Sequence, residues 1–249
     1  MPTVANGDTY DWNLRRAHSD NVEITYAAAT GTLVRLLAYE NHARMGSYAD
    51  AVAAAHASGL TPDIAADDAP GRVKDGVGLN VEQPLADSGA TGLFLRAGWN
   101  NGTTQDFVFT EADRTVSAGG EVGGQRRGRP RDRTGFGVAV DALSAARRAY
   151  LEAGGLGFLL GDGALDYGLE RAVEASYRLQ AGRYLEVSPD LQWITTPATT
   201  GPASRPRWRA SASTSKPEES PARGRRSVKL ARGRSAARLP RGTDAGASR

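Results

Sequence analysis

The chain contains no cysteine, which excludes disulfide frameworks, thiolate metal sites and a cysteine nucleophile. It also has no apolar run of the roughly 18 residues that a membrane-spanning helix needs. Its histidines, His18, His42 and His56, are scattered without the spacing of metal ligands, so no metal or other cofactor is expected. Residues 1–11 have neither the basic nor the apolar segment of a secretory signal. An exported protein with this sequence would therefore have lost its start.

Charge divides the sequence into two parts. Residues 198–249 contain eleven Arg and two Lys against three acidic residues, a balance of +10, and since the whole chain carries +3, residues 1–197 carry −7. The second part is a mixture of Arg, Ser, Ala, Gly and Pro with almost no apolar pattern. Such a composition buries too little apolar surface to fold, so we expect a disordered basic tail from 198 to 249.

Residues 1–197 show apolar and polar side chains in alternation, which is the pattern of β-strands whose two faces meet different surroundings. Val173–Arg178 reads VEASYR, and Val77–Glu82 reads VGLNVE. Eight strands are predicted in this way, at 20–28, 32–41, 72–83, 91–100, 113–123, 134–142, 168–180 and 183–195. Their connections alternate between short and long, the rhythm of an outer-membrane barrel.

The pattern therefore predicts an all-β fold, a partial antiparallel transmembrane β-barrel of the outer-membrane porin type in residues 1–197. Ser47–Ser58 is rich in Ala and free of Pro and Gly, which predicts a short helix in the longest loop. That helix would either narrow the pore mouth or cap the barrel from outside. Alternation does not say whether an apolar face meets lipid or a protein core, so a soluble β-sandwich or barrel stays open.

Four segments carry a family resemblance. They are LLAYENHARMGSY at Leu36–Tyr48, FTEADRT at Phe109–Thr115, YLEAGGLGFLLGDGALDYG at Tyr150–Gly168 and LQWITTP at Leu191–Pro197. These runs resemble segments of the carbohydrate-selective porin (OprB) family, over roughly Thr9 to Pro197. The resemblance implies a monomeric barrel in the outer membrane of Gram-negative bacteria, through which monosaccharides and other small sugars diffuse passively.

The resemblance also implies that about half of the barrel's strands are present here. The expected partners are small sugars and outer-membrane lipid, with no nucleic acid, and a partial barrel has the further option of self-association. After Pro197 the sequence departs from the family's closing strand, and we expect a change of reading frame near Ala198, which resequencing the locus would test. A truncated porin remnant without function is therefore an alternative to a working channel.

A sugar channel needs hydrogen-bonding and charged side chains around a wet lumen. The candidates are the polar residues of the predicted strands: Arg35, Tyr39, Arg72, Lys74, Asn80, Glu82, Arg96, Glu170, Glu174 and Arg178. For each of them the alternative is a solvated wall residue without sugar contact.

Catalysis is not expected. Gly154–Gly163 reads GGLGFLLGDG, but it lacks the strand–turn–helix context of a dinucleotide site. A second class of function is a soluble β-domain whose basic tail binds polyanions by charge. Under a change of reading frame the tail arginines would be accidental.

Overall fold

The computed structural model describes residues 1, 3, 7–106, 111–157, 160–161 and 163–196, together with the backbone of 207–215. All of them belong to the compact unit Met1–Pro217. The expected disorder of residues 198–206 and 216–249 lies outside the described residues. No helix in the described part of the chain is both long enough and apolar enough to cross a bilayer.

In the described residues, nine strands follow one another in chain order within a single sheet, each antiparallel to the next. They are β1 His18–Ala27, β2 Leu33–Met45, β3 Ala69–Ala86, β4 Thr91–Asn100, β5 Arg114–Gly123, β6 Arg133–Ala142, β7 Glu170–Gln180, β8 Glu186–Thr195 and β9 Arg207–Ser215. The short connections, such as 28–32 and 181–185, lie at one end of the sheet, here the short-turn end. The longer connections lie at the opposite, long-loop end, and their described residues are 46–68, 101–106, 111–113, 143–157, 160–161 and 163–169.

The prediction of an all-β antiparallel fold is confirmed, and each of the eight predicted strands is present. β2 continues to Met45 because a register shift after Ala43 lets it resume pairing. β3 continues beyond Pro84 in the same way, with a shift before Ala86. Such an irregularity interrupts the alternation of apolar and polar residues, so the predicted strands end before it. Within the described residues β1 and β9 have one neighbour each, so the sheet is open at both edges.

β9 departs from the expected disordered tail. Residues 207–215 read RWRASASTS, and their backbone pairs with β8 from Ile194↔Arg207 to Glu186↔Ser215. Arg or Ser alternates here with Trp, Ala or Thr, which is a strand pattern. The Arg- and Ser-rich composition of the region conceals it. A change of reading frame near Ala198 stays a prediction.

The pairing register divides the sheet into two faces, because residues directly opposite each other on neighbouring strands share a side. One side, the apolar face, carries large apolar side chains that are 40–65% exposed: Val22, Ile24, Tyr26, Leu36, Val77, Leu95, Val116, Phe136, Val138, Val173 and Leu191. A monomeric soluble protein rarely exposes an apolar surface of this extent. The outward band of a membrane barrel is such a surface.

The packed apolar core lies at the long-loop end, around two helices. The predicted helix is present as α1, Tyr48–Ser58, and a second helix, α2, spans Ala145–Glu152. Ser47 caps α1, and Gly59 ends it with φ 72°, a left-handed conformation that glycine adopts readily. The core consists of residues from both helices and the segments beside them: Tyr48, Ala51, Leu143, Tyr150, Leu151 and Leu160. The long loops are therefore packed on one another.

Candidate channel-lining face

The side of the sheet opposite the apolar face, here the polar face, holds all ten candidate residues. Arg35 pairs with Asn80, and Asn80 pairs with Arg96. Alternation along each strand and pairing across the strands then place the other candidates on the same side: Tyr39, Arg72, Lys74, Glu82, Glu170, Glu174 and Arg178. The register thus brings together, on one surface, residues that are far apart in the chain. Whether they contact a solute is a separate question.

Two candidates near the long loops bind those loops. Arg72 donates from Nη1 to Oδ2 of Asp50 on α1 at 3.0 Å, and from Nη2 to Oδ2 of Asp67 at 2.8 Å. Lys74 is 8% exposed, and its ammonium group forms an ion pair with Asp106. Both cations anchor the long loops at the mouth of the polar face. The open wall consists of the other candidates.

Sequence reasoning missed the buried cluster to which Asp106 belongs. Arg147 on α2 is 2% exposed, and it donates from Nε to the hydroxyl of Tyr48 at 2.9 Å. Its guanidinium also pairs with Asp106 and lies 3.5 Å from Oδ2 of Asp113. Asp113 Oδ2 in turn accepts the backbone N–H of Ser144 at 2.8 Å. The cluster joins three long loops at the mouth of the polar face.

Electrostatics in this cluster favour a charged Arg147. Burial acts against the charged guanidinium, but the carboxylates of Asp106 and Asp113 outweigh it and raise the pKa of Arg147. Burial raises the pKa of Tyr48, which stays a neutral hydroxyl. The one sequence signal for the cluster is Ser144, a typical N-cap residue before Ala145–Glu152.

In the middle of the polar face, charged groups occur in pairs. Glu82 accepts from Arg35 Nη1 at 2.6 Å and from Asn80 Nδ2 at 3.2 Å, with both bonds on Oε1. Arg96 lies beside Asn80 in the register and is exposed. The guanidinium carbon of Arg96 lies 5.1 Å from the ring centroid of Phe94.

A second set of charges lies across β5 to β8. Arg133 Nε lies 3.2 Å from Glu121, and Arg178 lies 3.9 Å from the same carboxylate and 3.8 Å from Glu186. Glu174 accepts from Gln192 Nε2 at 2.7 Å. Cations and anions therefore alternate over the polar face, and neither sign dominates it.

Between these two sets the polar face is hollow. A cavity of about 750 Å³ opens there, and small residues contribute much of its lining. Gly119 pairs with Gly137, and Ala139 pairs with Ala172, so little rises from the sheet at these positions. The volume lies within the range of small-molecule sites.

Comparison with known proteins gives this arrangement a context. The family description "Carbohydrate-selective porin, OprB family" matches residues 2–217. The chain belongs to this family. The match runs past Pro197, where the resemblance in the sequence was expected to end, and includes β9. The OprB family is a family of outer-membrane channels, and an apolar face opposite a polar one fits that class.

A solved structure, that of Pseudomonas putida OprB at high pH, is similar to this chain with a TM-score of 0.55 and 20% sequence identity. The similarity covers 73% of this chain and 44% of the other, so this chain spans less than half the length of the solved chain. At this identity the comparison supports the porin fold and leaves individual residue roles open. No curated protein matched the sequence.

Proposed function

We propose that this OprB-family chain forms the wall of a passive channel for monosaccharides and other small sugars in the bacterial outer membrane. The observation that carries the proposal is the division of one sheet into two faces. Large side chains of the apolar face are 40–65% exposed, whereas the opposite face carries the ten polar candidates. Lipid on one side and water on the other would satisfy both faces.

The charges of the polar face suit a neutral solute. Arg35 with Glu82, and Arg133 with Glu121, place opposite charges within 3.2 Å of each other. A ring of one sign would instead select ions of the other sign. Sugar hydroxyls donate and accept hydrogen bonds, and alternating carboxylates and guanidinium groups offer both kinds of partner.

The open edges of the sheet set a condition on conduction. Unpaired backbone groups of an edge strand are not tolerated in lipid, so β1 and β9 need partner strands before a pore can form. We propose that a second copy of this chain supplies them when no other protein is present. A monomeric pore, as the family resemblance implies, would need the further strands of a longer chain.

Liposome swelling tests the proposed channel. The chain is refolded in detergent, reconstituted into liposomes and diluted into isotonic D-glucose, and the loss of turbidity reports sugar entry. We expect swelling with D-glucose and none with a dextran too large for the pore. Absence of swelling from liposomes that contain folded, inserted chain would contradict the proposal. Cross-linking of the same liposomes shows whether the active form contains more than one copy.

A further inference from the structure

One row of residues crosses the hollow of the polar face. In the pairing register, Glu82 on β3 is followed by Phe94, Gly119, Gly137, Glu174 and Gln192 on the next five strands. In this row, Glu82 and Glu174 flank one aromatic residue and two glycines. Phe94 and Glu174 are three strands apart, and at about 4.8 Å per strand this is about 14 Å along the sheet.

Phe94 is an unusual residue for the polar face, and the two glycines explain how it fits. A β-carbon added at Gly119 would lie 2.8 Å from Cε1 of Phe94, and one at Gly137 would lie 4.0 Å from its Cζ. The ring therefore leans across β5 towards β6, over positions that have no side chain. Lying there, it forms part of the lining of the cavity of about 750 Å³.

Polar groups surround this ring. The guanidinium carbon of Arg96 lies 5.1 Å from the ring centroid, and Arg96 is exposed. Glu82 is held by Arg35 at 2.6 Å, and Glu174 is held by Gln192 at 2.7 Å. The carboxylate positions are thus fixed by neighbours, and each carboxylate keeps acceptor capacity for a ligand.

We propose that Phe94 is the stacking platform of a pyranose-binding site in the channel. A pyranose has an apolar face of C–H groups, which packs against an aromatic ring, and an edge of hydroxyls that both donate and accept hydrogen bonds. Phe94 meets the apolar face, Arg96 supplies donors, and Glu174, on the strand next to Gly137, supplies acceptors. The proposal rests on the proposed function for the class of ligand, and it adds a defined contact residue.

Sugar binding is measurable without conduction. The chain in detergent micelles is titrated with D-glucose, and saturation-transfer NMR reports contact between protein and sugar protons. We expect Phe94→Leu to weaken D-glucose binding about five-fold and Phe94→Trp to retain it. Phe136→Leu is the matched control. Phe136 lies on the apolar face, the side of the sheet opposite to Phe94, and is 56% exposed. We expect it to leave binding unchanged.

A matched ligand separates stacking from hydrogen bonding. Sorbitol has the hydroxyls of glucose but no ring face, so we expect it to bind about five-fold more weakly than D-glucose. Fluorine NMR of wild type labelled with fluorophenylalanine measures the contact with Phe94 directly, because Phe94 is not substituted in the titrated protein. The signal assigned to Phe94 should shift on addition of D-glucose, and the Phe136 signal should stay in place.

The two proposals fail in different ways. Binding that Phe94→Leu weakens and Phe136→Leu does not supports the stacking site, even where the liposomes do not swell. Equal D-glucose binding by wild type and Phe94→Leu, or an unmoved Phe94 fluorine signal, overturns the stacking site. Either result leaves the proposed channel standing if wild-type liposomes swell.

Discussion

The side chain of Arg147 donates a hydrogen bond from Nε to the hydroxyl of Tyr48, over 2.9 Å and across 99 residues of chain. The bond joins α2 to α1, and Asp106 and Asp113 bring a third loop to the same guanidinium. Replacing Arg147 by Met would leave the buried carboxylate of Asp113 without its cation and Asp106 with Lys74 alone. Breaking a buried ion pair in this way costs about 3 kcal/mol, so amides of α2 should exchange with deuterium about 100-fold faster.

Arg148→Met is the control for this change. Arg148 is the next residue of α2, is only half-buried, and contacts the ring of Tyr167 at 4.7 Å. Loss of one such contact costs less than about 1 kcal/mol. Hydrogen exchange that responds equally to both substitutions would contradict the role given to the Arg147 cluster.

The carboxylate of Asp132 makes the stability of the short-turn end depend on pH. Its buried carboxylate accepts from Arg129, from the Tyr177 hydroxyl at 2.6 Å and from the Gln180 N–H at 3.0 Å. These hydrogen bonds, that from Arg129 foremost, hold the pKa of Asp132 well below its usual range. Because the pKa in the unfolded chain is about 3.9, the carboxylate stabilises the fold above that pH. The stabilisation is lost as pH falls from there towards the folded-state pKa.

Denaturant unfolding in detergent at pH 6 and pH 3 checks this dependence. We expect wild type to lose stability between the two pH values and Asp132→Asn to lose markedly less, starting from a lower stability at pH 6. Asp63→Asn, which changes an exposed carboxylate in the loop after α1, should follow wild type. A wild-type pH dependence that survives in Asp132→Asn would refute the assignment.

The strands and their faces were predictable, because a period of two is a local property of the sequence. Val173 and Glu174 point to opposite sides in any regular strand, and the register then carries that division from one strand to the next. The ring of Phe94 was harder to interpret. A large apolar residue on a polar face breaks the alternation, and its reason lies in Gly119 and Gly137 on other strands.

The buried cluster at the long-loop end could not be predicted from local pattern. Asp106 and Arg147 are 41 residues apart, and neither lies in a periodic segment. Their contact depends on how three loops pack together, which the alternation of the strands does not encode. β9 was missed for another reason, since its Arg- and Ser-rich composition conceals an alternation that is present.

Charge inversion on the polar face should change ion selectivity. Arg96 is exposed beside Phe94, and Arg96→Glu would place a further negative charge beside Glu82. We expect the zero-current potential in a salt gradient to shift towards cation preference, and the shift to shrink at high salt because screening shortens the range of the charge. Arg114→Glu makes the same change on the apolar side of β5, where Arg114 is also exposed. An equal shift in both variants would mean that Arg96 does not face the conducting path.

Adjacent residues of β6 test which face meets lipid. Val138 lies near the middle of the strand on the apolar face and is 47% exposed, whereas Ala139 lies on the polar face. A lysine on the lipid face costs about 2–4 kcal/mol at the bilayer midplane, while a lysine at 139 can remain in water. We therefore expect Val138→Lys to reduce the fraction of chain that floats with liposomes, and Ala139→Lys to insert like wild type. The reverse order of insertion would show that the apolar face is turned away from lipid.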